Sequence, residues 1–211
     1  MRWRVGIAEA PLHHQDRSLV DLELGLFGVF DGVGQFARSG EAAELAARII
    51  GESCRSTTLA PREALVVSCE RADRLIRQAR LGATTATVAW VVGEEVIYVS
   101  VGDSRLYVQA GGRTELVQVT ADEGEGRILF NALGDGDTSG TVSQTGRADL
   151  APGSKLLLVT DGVTGDYPPD LLSERDLASA VEGDDPQVGA EELVARARKR
   201  DDKTALVIFL D

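Results

Sequence analysis

The chain has 211 residues and a formal net charge of −12. A general nucleic-acid binder needs a basic stripe, and an anionic membrane surface would repel this chain, so both partners are excluded. Hydrophobic and charged fractions of 43% and 27% are those of a globular protein with an ordinary core, and the length suits one domain, residues 1–211.

The amino-terminal stretch has basic residues but no apolar run of signal-peptide length, and no segment approaches the roughly 18 consecutive apolar residues of a membrane span. Cys54 and Cys69 have no metal-like spacing. They read as buried, reduced thiols and place the chain in the cytoplasm.

Strands are expected from Trp3 to Ala8 and, as one longer run, from Leu19 to Phe30. Two helices follow. One runs from about Gly40 to Cys54 with Ser39 as N-cap. The other starts at Pro61, which suits a first helical turn, and carries Leu65, Ala72, Leu75, Ile76 and Ala79 at helical spacing. Past Gly82 the pattern turns to β-branched and aromatic runs, "ATTATVAWVV", "EVIYVSVG", "SRLYVQA" and "TELVQVT", parted by Gly-rich or Gly-Asp breaks. These are hairpin signals in series and predict antiparallel sheet.

Residues 121–146 are rich in Gly and Asp and read as an irregular, flap-like insertion. "SKLLLVTDG" is the next strand. Two helices follow, one opened by the capping box "SERD" at Ser173 and one by Pro186 behind the acidic cap "EGDD". "KTALVIFL" closes the chain as a strand. Paired helices between blocks of antiparallel strands, without βαβ alternation, predict an α+β fold: two packed antiparallel sheets flanked by helices, an α-β-β-α sandwich.

The chemistry lies at strand ends. "GLFGVF" stops on Asp31-Gly32, "VIYVSV" on Gly102-Asp103 and "KLLLVT" on Asp161-Gly162. Asp201-Asp202 leads into the last strand and Asp16 into an early one. Any one of these is an ordinary turn residue. Five beside strongly apolar strands imply carboxylates converging at one edge, where they need cations. An all-oxygen set without a Cys/His group favours Mg²⁺ or Mn²⁺.

Other features carry less. His13 and His14 are adjacent on an extended segment, point opposite ways and read as surface or packing residues rather than ligands. "DGDTSG", Asp135 to Gly140, begins like a calcium loop, but its twelfth position is Gly146 instead of glutamate, so it reads as a polar turn. Gly32-Val33-Gly34 lacks the third glycine of a nucleotide fingerprint and follows a carboxylate that would repel phosphates.

Five stretches in order resemble the motifs of the metal-dependent protein phosphatases, the PPM or type 2C family: "HQD", "FGVFDGVGQFARSGEAAELAA", "GATTATVAWVVGEEVIYVSVGDSRLYV", "KLLLVTDGVTG" and "RDDKTALVIFL". The similarity spans about His14 to Leu210. "DGVGQFARSGE" is most similar to the bacterial serine/threonine phosphatases, and the short length leaves the sporulation stage II E-like branch open. The resemblance implies hydrolysis of phosphoserine and phosphothreonine in proteins by a metal-bridging water, on substrates made by a serine/threonine kinase. It implies Asp31 bridging two Mn²⁺ or Mg²⁺ ions, the Gly32 carbonyl on one, and Asp161 and Asp201 on the other. Asp103 would help hold a third, weaker ion, and Asp16 would act through metal-bound water.

Three positions depart from the family. Pro11 stands where an arginine grips the substrate phosphate, leaving Arg2, Arg4 or Arg17 as substitutes. Val33 replaces a histidine that some members carry, and Asp202 replaces an asparagine, adding a charge beside a ligand. These departures make a catalytically weak relative that binds or regulates a phosphoprotein the alternative reading.

Overall fold

The computed structural model describes residues 2–136 and 142–211. The Asp135–Gly140 turn therefore lies largely outside the described residues. The strands are β1 (Trp3–Ala10), β2 (Arg17–Asp21), β3 (Leu26–Phe30), β4 (Ala86–Val92), β5 (Glu95–Val101), β6 (Arg105–Gln109), β7 (Val117–Gln118), β8 (Gly124–Glu125), β9 (Ile128–Leu129), β10 (Gln144–Asp149), β11 (Lys155–Val159) and β12 (Lys203–Leu210). The helices are α1 (Ser39–Ser56), α2 (Pro61–Ala79), α3 (Asp161–Thr164), α4 (Glu174–Glu182) and α5 (Pro186–Arg196).

Two five-stranded sheets run β1-β12-β11-β6-β7 and β10-β5-β4-β3-β2, and every named pairing is antiparallel. The central strands are apolar on both faces because each face is covered. In β3, Phe27 and Val29 point between the sheets while Leu26 and Phe30 pack under α1 and α2. In β12, Leu206, Ile208 and Leu210 point between the sheets while Ala205, Val207 and Phe209 face α4 and α5. Alternation of side chains along a strand produces both sets. The result is the expected α-β-β-α sandwich, with three apolar layers stacked through it.

Several elements differ from expectation. The run from Leu19 to Phe30 is a hairpin, β2 against β3, broken at Leu22–Gly25, where Gly25 takes φ +69°. Arg38, not Ser39, caps α1, and the Ser39 hydroxyl is buried without a hydrogen bond. The Gly102-Asp103 break is no hairpin. It carries the chain from β5 in one sheet to β6 in the other, with Gly102 at φ +101°, where a side chain would be strained. The segment 121–146 holds the β8–β9 hairpin and the start of β10, a polar edge strand. The capping box at Ser173 and the Asp185 cap before Pro186 are as expected.

Candidate active site

The loops that leave β3, β5 and β11 and enter β2 and β12 meet at one end of the sandwich. There Asp31, Gly32, Asp103, Asp161 and Asp201 line a cavity of about 610 Å³. The far wall is the tip of the β8–β9 hairpin, with Gly126, Arg127, Ile128 and Leu129. Glu123 roots that hairpin on the crossover: its N–H donates to the Gly102 carbonyl at 3.0 Å and its carboxylate accepts the Gly102 N–H at 2.9 Å.

Asp31 is fixed by its backbone. Its N–H donates to Thr85 Oγ1 at 2.9 Å, and its carbonyl accepts the Thr85 N–H at 2.8 Å and Thr84 Oγ1 at 2.9 Å. The side chain is thereby left to the cavity. Gly32 is needed for space: a Cβ there would stand 2.8 Å from the Ser39 carbonyl and 2.9 Å from that of Gln15. At Gly162 a Cβ would overlap the Asp202 carbonyl oxygen. Each Asp-Gly pair thus marks a close backbone crossing beside a carboxylate, and neither glycine takes a positive φ.

Asp16, unlike the other predicted site residues, does not line the cavity. One carboxylate oxygen accepts Thr160 Oγ1 at 2.8 Å and Thr204 Oγ1 at 2.9 Å, joining the entrance of β2 to the strands of the opposite sheet. Burial, opposed by these hydroxyls and aided by Asp202 and Asp161, pushes its carboxyl up to about 7. Asp103 is also raised to about 7, by burial and then Asp161. Asp31 is raised well above the ordinary range by burial and by the neighbouring carboxylates of Asp16 and Asp161. Carboxyls packed this closely cannot all ionise without cations among them.

A hard divalent cation fits this chemistry. Asp16 Oδ1 and Asp161 Oδ1 are both buried with no hydrogen-bond partner, in a set of oxygen donors of the kind Mn²⁺ and Mg²⁺ prefer. Among the described residues, however, no three Asp, Glu, His or Cys groups close into a ready-made cage. Lys199 stands in their midst instead, its ammonium bonded to Asp161 and lying 3.2 Å from Asp166 and 3.3 Å from Asp201. Neither Lys199 nor Asp166 was legible as a site residue. The lysine reads as part of the basic run "RKR", and the only signal was its position two residues before Asp201.

Asp202 does not face the cavity as a ligand's neighbour. It is 3% exposed, and its carboxylate gathers five successive backbone N–H groups. Oδ1 accepts from Leu12, from His13 at 2.6 Å and from His14 at 3.3 Å; Oδ2 accepts from Gln15 and from Asp16 at 3.4 Å. These bonds hold the carboxyl below its ordinary range, against the cost of burial. The added charge organises the loop that carries Asp16.

Pro11, His13 and His14 are exposed and line no part of the cavity. Arg2, Arg4 and Arg17 are absent from its walls too. Arg4 pairs with Asp211, and Arg17 bonds the carbonyls of His14 and Asp16 and pairs with Glu44. The cationic side chains on the walls are Arg127, Lys199 and Arg200.

Comparison with known proteins gives the family of this antiparallel sandwich with aspartates gathered at one end. The protein phosphatase 2C family model matches residues 10–196, so the chain belongs to that family. It is 29% identical over 182 residues to "Probable protein phosphatase 2C BIPP2C1" of Oryza sativa subsp. japonica, covering 83% of this chain. The chain spans 31% of the length of that relative.

Among solved structures, PppA, a regulatory component of T6SS in Pseudomonas aeruginosa, superposes with a TM-score of 0.83 at 19% identity, covering 100% of this chain and 99% of that one. The PPM Ser-Thr phosphatase MsPP from Mycobacterium smegmatis, in complex with cacodylate, gives 0.79 at 23% identity, with 100% and 99% covered. The catalytic domain of the phosphatase PstP, in complex with two manganese ions, gives 0.77 at 18% identity, with 99% of each chain covered. At these identities the likeness establishes the fold.

Proposed function

We propose that this chain is a protein phosphatase that hydrolyses phosphoserine and phosphothreonine with two Mn²⁺ or Mg²⁺ ions. The observation that carries the reading is the convergence of Asp31, Asp161 and Asp201 on one cavity, with an orphaned buried oxygen on Asp161 and another on nearby Asp16. Asp31, emerging where its backbone is pinned on both sides, would be shared between the two ions. The Gly32 carbonyl would add a donor to one ion, and Asp161 and Asp201 would hold the other. Such ions act as Lewis acids, lowering the pKa of water and offsetting charge on phosphoryl oxygens.

The chain's own groups orient and exclude. Asp16, fixed by Thr160 and Thr204 with its other oxygen unpartnered, would take a proton or orient a water. The β8–β9 hairpin walls one side of the cavity and brings Arg127 over it. With Pro11 in place of a phosphate-gripping arginine, Arg127 and Arg200 are the side chains suited to hold the substrate phosphate. The substrate would be a phosphoprotein made by a serine/threonine kinase.

Among the described residues no helix is long and apolar enough to cross a membrane. A cytoplasmic setting agrees with Cys54 and Cys69, two buried free thiols; burial pushes the Cys54 thiol up to about 11 and the Cys69 thiol higher still.

The test is hydrolysis of p-nitrophenyl phosphate and a phosphothreonine peptide with Mn²⁺, with chelator, and by Asp31→Ala. Activity that needs Mn²⁺ and Asp31 is the expected result. Equal rates in all three conditions would refute the mechanism. Peptide binding without turnover would favour the binding-module reading, for which Pro11 is the motivating residue.

A further inference from the structure

The mouth of the cavity is apolar along the β8–β9 hairpin. Ile128, on the far wall, is 66% exposed, and Phe130, two positions on, is 56% exposed. The Phe130 N–H donates to the Glu123 carbonyl at 2.7 Å, which carries the hairpin ladder past Leu129. On an extended segment that spacing puts Ile128 and Phe130 on one face. Tyr167, 53% exposed, stands against the tip of the same hairpin. A Cβ at Gly126 would overlap its hydroxyl, and Arg127 pairs with Asp166, the residue before it, at 3.8 Å. Leu171 is exposed in the same loop. Its N–H donates to the Tyr167 carbonyl at 3.0 Å, and it follows Asp170 on the cavity wall.

Single exposed aliphatic residues are ordinary on a protein surface. Large exposed rings are less so. Among the described residues these are Phe130 and Tyr167, and both belong to this mouth. Ile128, Phe130, Tyr167 and Leu171 join none of the three apolar layers, so the fold does not use them as core. What would cover them follows from where they lie. A phosphoresidue seated in the cavity has Ile128 beside it, and its neighbour in an extended segment lies about 3.3 Å further along. Arg127 and Arg200 on the walls suit the phosphate, and the rim suits an apolar side chain next to it. A net charge of −12 sets an anionic membrane against the same patch.

We infer that this rim is a specificity surface: it takes a large apolar side chain immediately flanking the phosphoresidue of a protein substrate. The inference rests on the phosphatase reading above and narrows its substrate class. Tyr167 and the Arg127–Asp166 pair hold the hairpin tip to the loop behind it, so the apolar face is presented on a braced element.

The experiment uses two phosphothreonine peptides that differ only in carrying Leu or Ser on both sides of the phosphoresidue. With Mn²⁺ present, kcat/KM for each is measured on wild type, Phe130→Ser and Tyr167→Ser. Val92→Ser is the control, an exposed apolar position at the opposite end of β4 from Thr85 on the cavity wall. Wild type is expected to prefer the Leu peptide about tenfold, the effect of half-burying one leucine side chain. Each rim variant should cut the preference to about threefold or less, and Val92→Ser should keep it. The readout is a ratio, so a variant of lower overall activity still reports. A wild-type ratio near one would overturn the inference, and so would a preference that survives both rim variants. Self-association of wild type in light scattering, abolished by Phe130→Ser and accompanied by a ratio near one, would give the rim to a second copy instead. No hydrolysis of p-nitrophenyl phosphate would refute the phosphatase reading. The preference is then read from fluorescence anisotropy of the labelled peptides, and equal affinities would overturn this inference as well.

Discussion

Asp202 offers the sharpest test of how the loop before β2 is built. Replacing it with alanine removes the acceptor of five N–H groups from Leu12 to Asp16. A hydrogen bond to a charged group contributes about 1.5–3 kcal/mol net. Two of the five are long, at 3.3 and 3.4 Å, and Leu12 to His14 are exposed enough for water to replace part of what is lost. The expected cost for Asp202→Ala is therefore about 3–5 kcal/mol, less than five additive bonds. In a chain of this size that lowers Tm by about 6–20 °C.

Asparagine separates charge from geometry. Its oxygen can still serve Leu12, His13 and His14, but its NH₂ would face the N–H groups of Gln15 and Asp16. About 1–3 kcal/mol is expected for Asp202→Asn, near two lost bonds. Thermal melts followed by circular dichroism, with and without Mn²⁺, measure both variants. An alanine variant melting within about 2 °C of wild type would refute the role assigned to this carboxylate.

Asp161→Ala is expected to weaken Mn²⁺ binding at least about tenfold, or about 1.4 kcal/mol, by calorimetry; unchanged affinity would contradict the ligand assignment. Asp16 and Asp103, raised to about 7 in the folded chain, bind protons there that they release when unfolded. Stability of the metal-free protein should therefore fall as pH rises from about 4 to about 7 and then level off. Urea midpoints at pH 5 and pH 8 check this, and a rise with pH would reject it. Gly162→Ala should lose several kcal/mol, since its Cβ would overlap the Asp202 carbonyl; an unaltered melt would show that the crossing can relax. Arg127→Ala should raise KM for a phosphopeptide about tenfold with a smaller change in kcat, and an unchanged KM would remove it from substrate binding.

The parts of the fold that were legible are those whose burial is written in local pattern. β3 and β12 are apolar on both faces because each is covered twice, and their runs are unmistakable in sequence. β10 was missed because its residues, "QTGRAD", sit at a sheet edge with little to bury. The β2–β3 turn was missed because Leu22 and Leu24 kept the run apolar through the reversal. The crossover at Gly102 looks like a hairpin in sequence, since the two differ only in which sheet the next strand joins, a long-range fact.

The site divides in the same way. The strand-end aspartates announce themselves by interrupting apolar runs, and the structure brings Asp31, Asp103, Asp161 and Asp201 to one cavity. Apart from the Lys199–Asp201 pair, two positions apart, the roles of Lys199, Asp166 and Asp202 depend on partners 33 to 190 positions away. Asp202 read as a neighbour of the metal because sequence adjacency to Asp201 hides that the two carboxylates go to different places.

The crossing at Gly102 and the strand-end carboxylates have a joint consequence for how remote changes would be felt. Asp31 and Asp16 ride on one sheet, while Asp161 and Asp201 ride on the other. The spacing between their oxygens is therefore set by how the two sheets lie on each other, through Phe27, Leu106, Leu158 and Leu206 in the layer between them. Trimming Leu158 would leave every proposed ligand in place yet let one sheet settle against the other. Cation affinity would then serve as a calliper for that apolar layer, reading sub-ångström slips in its packing at the far end of the molecule.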